Sequence, residues 1–172
     1  RRAAVVALAR LNLQPKKAID YFLPRLGDAK EEVRTSALQR LPRVDVAVLQ
    51  EYAASSIARA TTDAFSPMRV AALSIIACME PGTLAPHGGT MLLADRLEDV
   101  AAHVRVAAVE ALAAWGSEHI EKHRRSIERL AELDSENEVR YAADRSLRSL
   151  QASEALPPPA RSTVQPENLA HI

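Results

Sequence analysis

The residues of this chain that could do chemistry form two groups, a small one suited to a metal and a larger one that recurs in register. His119-Ile120-Glu121-Lys122-His123 sets two imidazoles four residues apart, a spacing that puts both on one helix face where they could share a cation. The order differs from the His-Glu-x-x-His of zinc hydrolases, no third ligand stands nearby, and Lys122, Arg124 and Arg125 would repel a cation. Both histidines are expected to be solvated on a helix surface, with no metal and no cofactor. His87-Gly88-Gly89 lacks the Lys-Ser/Thr ending and the preceding strand of a phosphate loop. No Ser-His-Asp arrangement has a usable spacing, and Cys78 reads as an inert, half-buried thiol.

The second group is periodic. Arg34, Arg69, Arg105 and Arg140 follow one another at intervals of 35, 36 and 35 residues. An Asp stands six residues before each: Asp28, Asp63, Asp99 and Asp134. An apolar residue precedes each Arg (Val33, Met68, Val104, Val139), and Ala37, Ala72, Ala108 and Ala143 come three after it. Leu41, Ile76, Leu112 and Leu147 come seven after it. Arg1, with Ala4 and Leu8, begins the same series 33 residues earlier. On a helix of 3.6 residues per turn these offsets share one face, which marks a buried stripe. Ten after each Arg, the stripe holds Leu11, Val44, Met79, Trp115 and Leu150, so Trp115 is expected to be a core plug. A fixed period of this length signals stacked helical hairpins, each burying its apolar face on the next.

The elements that would carry these columns follow from local signals. Residues 1 to about 11 read as a second helix without a partner, so the array is expected to be cut from something longer. A first helix runs from Pro15 to Leu26, its last turn loosened by Pro24. Asp28-x-x-Glu31 resembles a capping box opening a helix to Leu41. Asp45 opens a helix to about Thr62, and Ser66-Pro67 reads as an N-cap with a first-turn proline for the helix to Met79. Pro81 to Gly89 reads as a long flexible loop. Helices are then expected at about 90–98, 101–114, 118–133 and 136–150, with Gly116 as a C-cap and Ser117 as an N-cap. Two regions result: a solenoid over residues 1–151 and a Pro-rich, disordered tail over 152–172.

Composition sets limits on function. Lys plus Arg and Asp plus Glu both number 22, a balance that offers no basic footprint for nucleic acid. Five Gly, three Tyr, two Phe and one Trp in 172 residues argue against a sandwich or barrel. A single Cys suits a reducing compartment, so an intracellular location, cytoplasmic or nuclear, is expected. No apolar run approaches the ~20 residues that span a bilayer.

Leu23-Pro-x-Leu-x-Asp28 followed by Val33-Arg-x-x-Ala-Leu-x-x-Leu41, and Asp99 followed by Val104-Arg-Val-Ala-Ala-Val-Glu-Ala-Leu112, resemble HEAT repeats. The resemblance covers residues 1 to about 150. Thr61, Met68 and Asp144 depart from it, and the fourth unit's first helix is offset by one residue. It implies an all-α, right-handed α-α superhelix of about four and a half hairpins, with second helices lining the concave side. It also implies that Asp28, Arg34, Asp63, Arg69, Asp99, Arg105, Asp134 and Arg140 form a structural ladder between units. Repeat-built hydroxylases of this kind use His-Glu pairs that are absent here, whereas a bilin-lyase-like activity has no signature to look for. Repeat-built DNA glycosylases rely on a basic groove that this neutral chain does not offer.

What remains is surface. The residues one and five after each Arg point away from the core stripe, towards the expected concave face: Arg2, Thr35, Val70, Val106 and Tyr141, then Val6, Gln39, Ser74, Glu110 and Arg145. Thr35, Val70, Ser74, Val106, Glu110, Tyr141 and Arg145 are the candidate partner-binding residues, with Val70 and Val106 expected as adjacent exposed apolar side chains. The sequence reads as a non-enzymatic scaffold for a protein or peptide segment, or for further repeats of the same chain. The alternative is a repeat-built enzyme of the bilin-lyase or hydroxylase type.

Overall fold

The structure, a computed structural model, describes residues 15–41 and 46–155. The readings placed on Arg1, Arg2, Ala4, Val6, Leu8, Leu11, Val44, Asp45 and the tail from residue 156 lie outside the described residues. Every regular element among those described is helical. They are α1 (Pro15–Phe22), a 3₁₀ segment (Leu23–Gly27), α2 (Glu31–Leu38), α3 (Val46–Tyr52), α4 (Ala54–Ala60) and α5 (Ser66–Ile76). A second 3₁₀ segment (Pro81–His87), α6 (Thr90–Arg96), α7 (Ala102–Ala114), α8 (Ser117–Lys122), α9 (Arg124–Leu133) and α10 (Asn137–Ala155) complete the chain.

These elements pair as helical hairpins that stack. The second helices pack in series, α2 on α5, α5 on α7 and α7 on α10, and α4, α6 and α9 each pack on the second helix that follows them. The repeating columns supply the contacts. Val33, Met68, Val104 and Val139 are at most 2% exposed, and the alanines three residues after each Arg are fully buried. A methyl side chain at that point lets neighbouring helix axes approach closely. Four residues after each Arg, Leu38, Leu73 and Val109 are also sealed, whereas the last unit has half-exposed Asp144, paired with Arg148 one turn on at 2.5 Å.

Several local expectations are corrected. The first helix does loosen at its end, changing to 3₁₀ at Leu23, where Pro24 sits in the first turn and cannot donate to an α-helical ladder; the others differ. The cap of α2 is Lys30, not Asp28, and Lys30 makes no side-chain cap bond; the Asp28 carboxylate accepts the Lys30 N–H at 2.9 Å. Ser66 is the first residue of α5 and not its cap, with its hydroxyl 2.9 Å from His103 Nε2. Gly116, at φ 102°, precedes α8, which begins at Ser117.

Three longer stretches also differ. The span expected as one helix from Asp45 to Thr62 is broken at Ala53, and that from Glu118 to Leu133 is broken at His123. Within the stretch expected as a loop, Pro81–His87 is a 3₁₀ segment that seals Leu84 into the core, closed by Gly88 at φ 105°. Finally, α10 continues past Gln151 to Ala155.

Candidate functional site

The strongest polar geometry lies along the edge where first helices turn into second helices. Arg34 Nε and Nη2 donate to the two Asp63 oxygens, each at 2.8 Å. Arg69 does the same to Asp99 at 2.8 and 2.6 Å, and Arg105 to Asp134 at 2.7 and 2.6 Å. The remaining amine, Nη1, donates back to the carbonyl of the unit's own Asp: Asp28 from Arg34, Asp63 from Arg69 and Asp99 from Arg105. Each Asp also accepts the backbone N–H two residues on, at Lys30, Phe65, Ala101 and Glu136. One carboxylate thus closes its own turn and receives the preceding unit's guanidinium. A planar fork meeting a carboxylate in this way is the strong, orientation-specific form of an ion pair.

Burial makes these pairs consequential. The side chains of Arg69 and Asp99 are 9% and 4% exposed. Burial alone would raise the Asp63 and Asp99 pKa values, but the bonds from Arg34 and Arg69, with the turn amides, outweigh it and hold both below the usual range. For Asp134 the Arg105 bond is the largest influence, and the result is again a lowered value. The Asp63 and Asp134 bonds in turn raise Arg34 and Arg105. At the last unit the pattern changes: Arg140 donates to the Asp134 carbonyl and to the Asn137 side-chain oxygen of its own unit.

Fold and rungs together define the molecule. It is an armadillo/HEAT-like helical-repeat solenoid. Among solved structures it resembles a designed armadillo-repeat protein in complex with the peptide (KR)4, at TM-score 0.67 and 21% identity over 87% of this chain and 74% of that one. A second designed armadillo-repeat protein matches at TM-score 0.60 and 26% identity, covering 87% and 75% of the two chains. A computationally designed armadillo-repeat protein for modular peptide recognition matches at 0.63 and 24%, covering 86% and 74%. No family model matches the sequence. No curated protein matches it either.

The candidate binding residues lie on the second helices away from the core stripe, in two different settings. Ser74, Glu110, Tyr141 and Arg145 are exposed, Tyr141 at 69%. Arg145 reaches back to Glu110 in the same column of the preceding unit, at 2.9 Å. Val70 and Val106 are not fully exposed as expected but half-buried against the core, because the neighbouring helices lie close over the alanine columns. Thr35 is half-buried too, its hydroxyl oxygen sealed without a hydrogen-bond partner among the described residues. Between α2 and α5 this face opens into a shallow groove of about 440 Å³, with Leu38, Pro67, Val70, Ala71 and Ser74 in its lining and His103 at its edge.

The histidine and cysteine readings change. His119 is half-buried, its Nδ1 3.2 Å from the Trp115 carbonyl and its ring edge-on to the indole at 5.4 Å. His123 is half-buried at the helix break, its Nε2 sealed without a partner among the described residues. Burial, then the charges of Lys122 and His119, push its pKa down. The break removes the continuous helix on which the two rings were expected to align. Cys78 is exposed, not half-buried, with its thiol 3.6 Å from the Ser74 carbonyl. Trp115 is partly buried, and its indole N–H donates to the Ile76 carbonyl of the preceding unit at 3.1 Å.

Proposed function

We propose that this solenoid is a non-enzymatic scaffold that binds a peptide segment of another protein along the concave face formed by its second helices. The observation that carries this reading is the contrast on α2, α5, α7 and α10 between an inner stripe that keeps an apolar residue before each Arg and an Ala three after it, and a second strip whose side-chain chemistry changes along the stack. Thr35, Val70, Val106 and Tyr141 occupy one column of that strip, and Gln39, Ser74, Glu110 and Arg145 the next. A groove floored by small and apolar side chains beside polar ones suits side chains projecting from an extended backbone. The likeness to a designed protein complexed with a peptide points the same way. The ladder arginines and aspartates are bound to one another, which leaves none of the rung carboxylates placed as a general base. The balanced charge supports a protein partner over nucleic acid, and the free thiol of Cys78 fits an intracellular setting. No described helix is long and apolar enough to cross a membrane.

Panning a library of random twelve-residue peptides on the full chain tests the reading. Selected peptides should bind saturably and lose at least tenfold in affinity to a Ser74→Arg variant, since Ser74 is exposed at the groove and carries no packing role. Its substitution should change stability by no more than about 0.5 kcal/mol. An empty selection, or peptides that bind both proteins equally, overturns the proposal. Val70 is less suitable, because an Asp at a half-buried site would also strain the fold.

A further inference from the structure

The turn edge contains a second cleft, distinct from the groove between α2 and α5, and the repeat itself indicates what chemistry fits there. Between the third and fourth units, Glu98, immediately before Asp99, receives Arg129 of α9 at 2.6 Å. The corresponding place between the first and second units has Gly27, immediately before Asp28, opposite Arg59 of α4. The guanidinium is retained and its carboxylate is gone. Among the described residues Arg59 makes no ion pair, and its side chain is exposed.

In place of the missing Glu there is a cleft of about 440 Å³ between the Leu23–Gly27 segment, α4 and the start of α5. Pro24 opens it by turning the end of the first helix into 3₁₀ form. Half-buried Leu23 and Leu26 give it one apolar side, while Arg59, Ser56 and Thr62 give it a polar one with a cation and two hydroxyls. Asp63 also borders it, but both carboxylate oxygens are held by Arg34. The size falls within the range of small-molecule sites, roughly 300–1,000 Å³.

We propose that this cleft binds a small aliphatic carboxylate, its chain against Leu23 and Leu26 and its head group on Arg59, where a Glu stands in the third unit. The site is separate from the second-helix face and stands or falls independently of it.

Titration of the full chain with sodium octanoate, followed by calorimetry, tests this. Saturable one-to-one binding is expected, with octanol at least about tenfold weaker because it lacks the charge that pairs with the guanidinium. Arg59→Gln should weaken octanoate by a similar factor. Gly27→Glu should abolish binding by restoring the internal carboxylate; a Cβ at Gly27 meets nothing within 4 Å, so the change is sterically free. Ser74→Arg should leave octanoate affinity unchanged. Absence of saturable binding, equal affinity for octanol, or unaltered affinity in Arg59→Gln overturns the proposal. Circular dichroism of each variant confirms that the helices are intact.

Discussion

Along the turn edge the units repeat side chain for side chain. Arg34 meets Asp63, Arg69 meets Asp99 and Arg105 meets Asp134, each through the same pair of guanidinium nitrogens. One residue further along the same second helices, on the face turned away from the core stripe, the column reads Thr35, Val70, Val106 and Tyr141, polar in one unit, apolar in two and aromatic in the last. Both regions are built on identical backbone, so the difference lies in what each must match. A rung has to fit the next unit, whose geometry is fixed by the repeat, and only one chemistry meets that demand three times running. The second strip carries an exposed tie between units, Arg145 with Glu110, and is otherwise left to vary with whatever lies against it. In a stack where each unit contacts only its neighbours, stability belongs to the repeating positions and specificity to the rest.

The most severe way to break that comparison is to remove a rung. Asp99→Ala leaves the Arg69 guanidinium, itself 9% exposed, without its counter-ion, and frees the Ala101 N–H as well. Stripping one partner from a buried pair costs about 3–5 kcal/mol. Urea unfolding should show a loss of that size. A loss below 1 kcal/mol would mean that the rungs do not tie the units together.

Acid acts on the same positions together. Asp63, Asp99 and Asp134 have pKa values held below the Asp reference of about 3.9, so the unfolded chain takes up protons on them first as pH falls. Their contribution is therefore complete above pH ~4 and lost as the pH drops from there through the lowered native values. His123 adds a shallower decline starting below about 6.5, because its lowered native pKa lets the unfolded chain protonate first. Urea midpoints between pH 3 and 8 should show both limbs, and His123→Asn should remove only the upper one.

The rungs were legible in the sequence because an Arg and an Asp recurring at one offset leave a pattern that needs no tertiary knowledge. Fold class follows from the same columns, and Pro24 announced its own distortion through its missing N–H. The breaks at Ala53 and His123 left no such mark, since neither Pro nor Gly stands at either point and local preference there favours unbroken helix. Pro81–Gly89 looked like a loop because proline and glycine speak only to local geometry, whereas Leu84, sealed in the core, decides its order. The half-burial of Val70, Val106 and His123 depends on how closely the next helix lies, which no single helix's periodicity contains. The Gly27–Arg59 vacancy was hidden for a related reason. It becomes visible only once the fourth unit's offset first helix is superposed in register with the second and Glu98–Arg129 supplies the template.

A smaller effect comes from Trp115, which links units without belonging to either repeating rung column. Its indole N–H reaches the Ile76 carbonyl, and that carbonyl already accepts the Met79 N–H at 2.9 Å. Trp115→Phe therefore orphans no acceptor and should cost about 1 kcal/mol in urea unfolding. A loss as large as that from Asp99→Ala would place Trp115 among the principal ties between units.

The sharpest form of the comparison uses two ion pairs on the same edge. Glu98–Arg129 and Asp99–Arg69 both join neighbouring units and involve adjacent residues, yet the first pair is 66% and 54% exposed and the second nearly sealed. Water and salt screen the exposed pair, so Glu98→Gln should cost only about 0.2–1 kcal/mol. Raising the salt from low concentration to 1 M, where the screening length falls to about 3 Å, should erase most of that difference. The penalty for Asp99→Ala should survive the same salt, because what it leaves behind is an unpaired charge out of reach of counter-ions. If the two penalties screened alike, burial would not be what separates an edge that holds the units together from an exposed pair that merely decorates it. The cleft at Gly27 would then be harder to explain as well. A solenoid can dispense with an exposed carboxylate such as the one missing there only when the deeper rung beside it, Arg34 with Asp63, carries the joint.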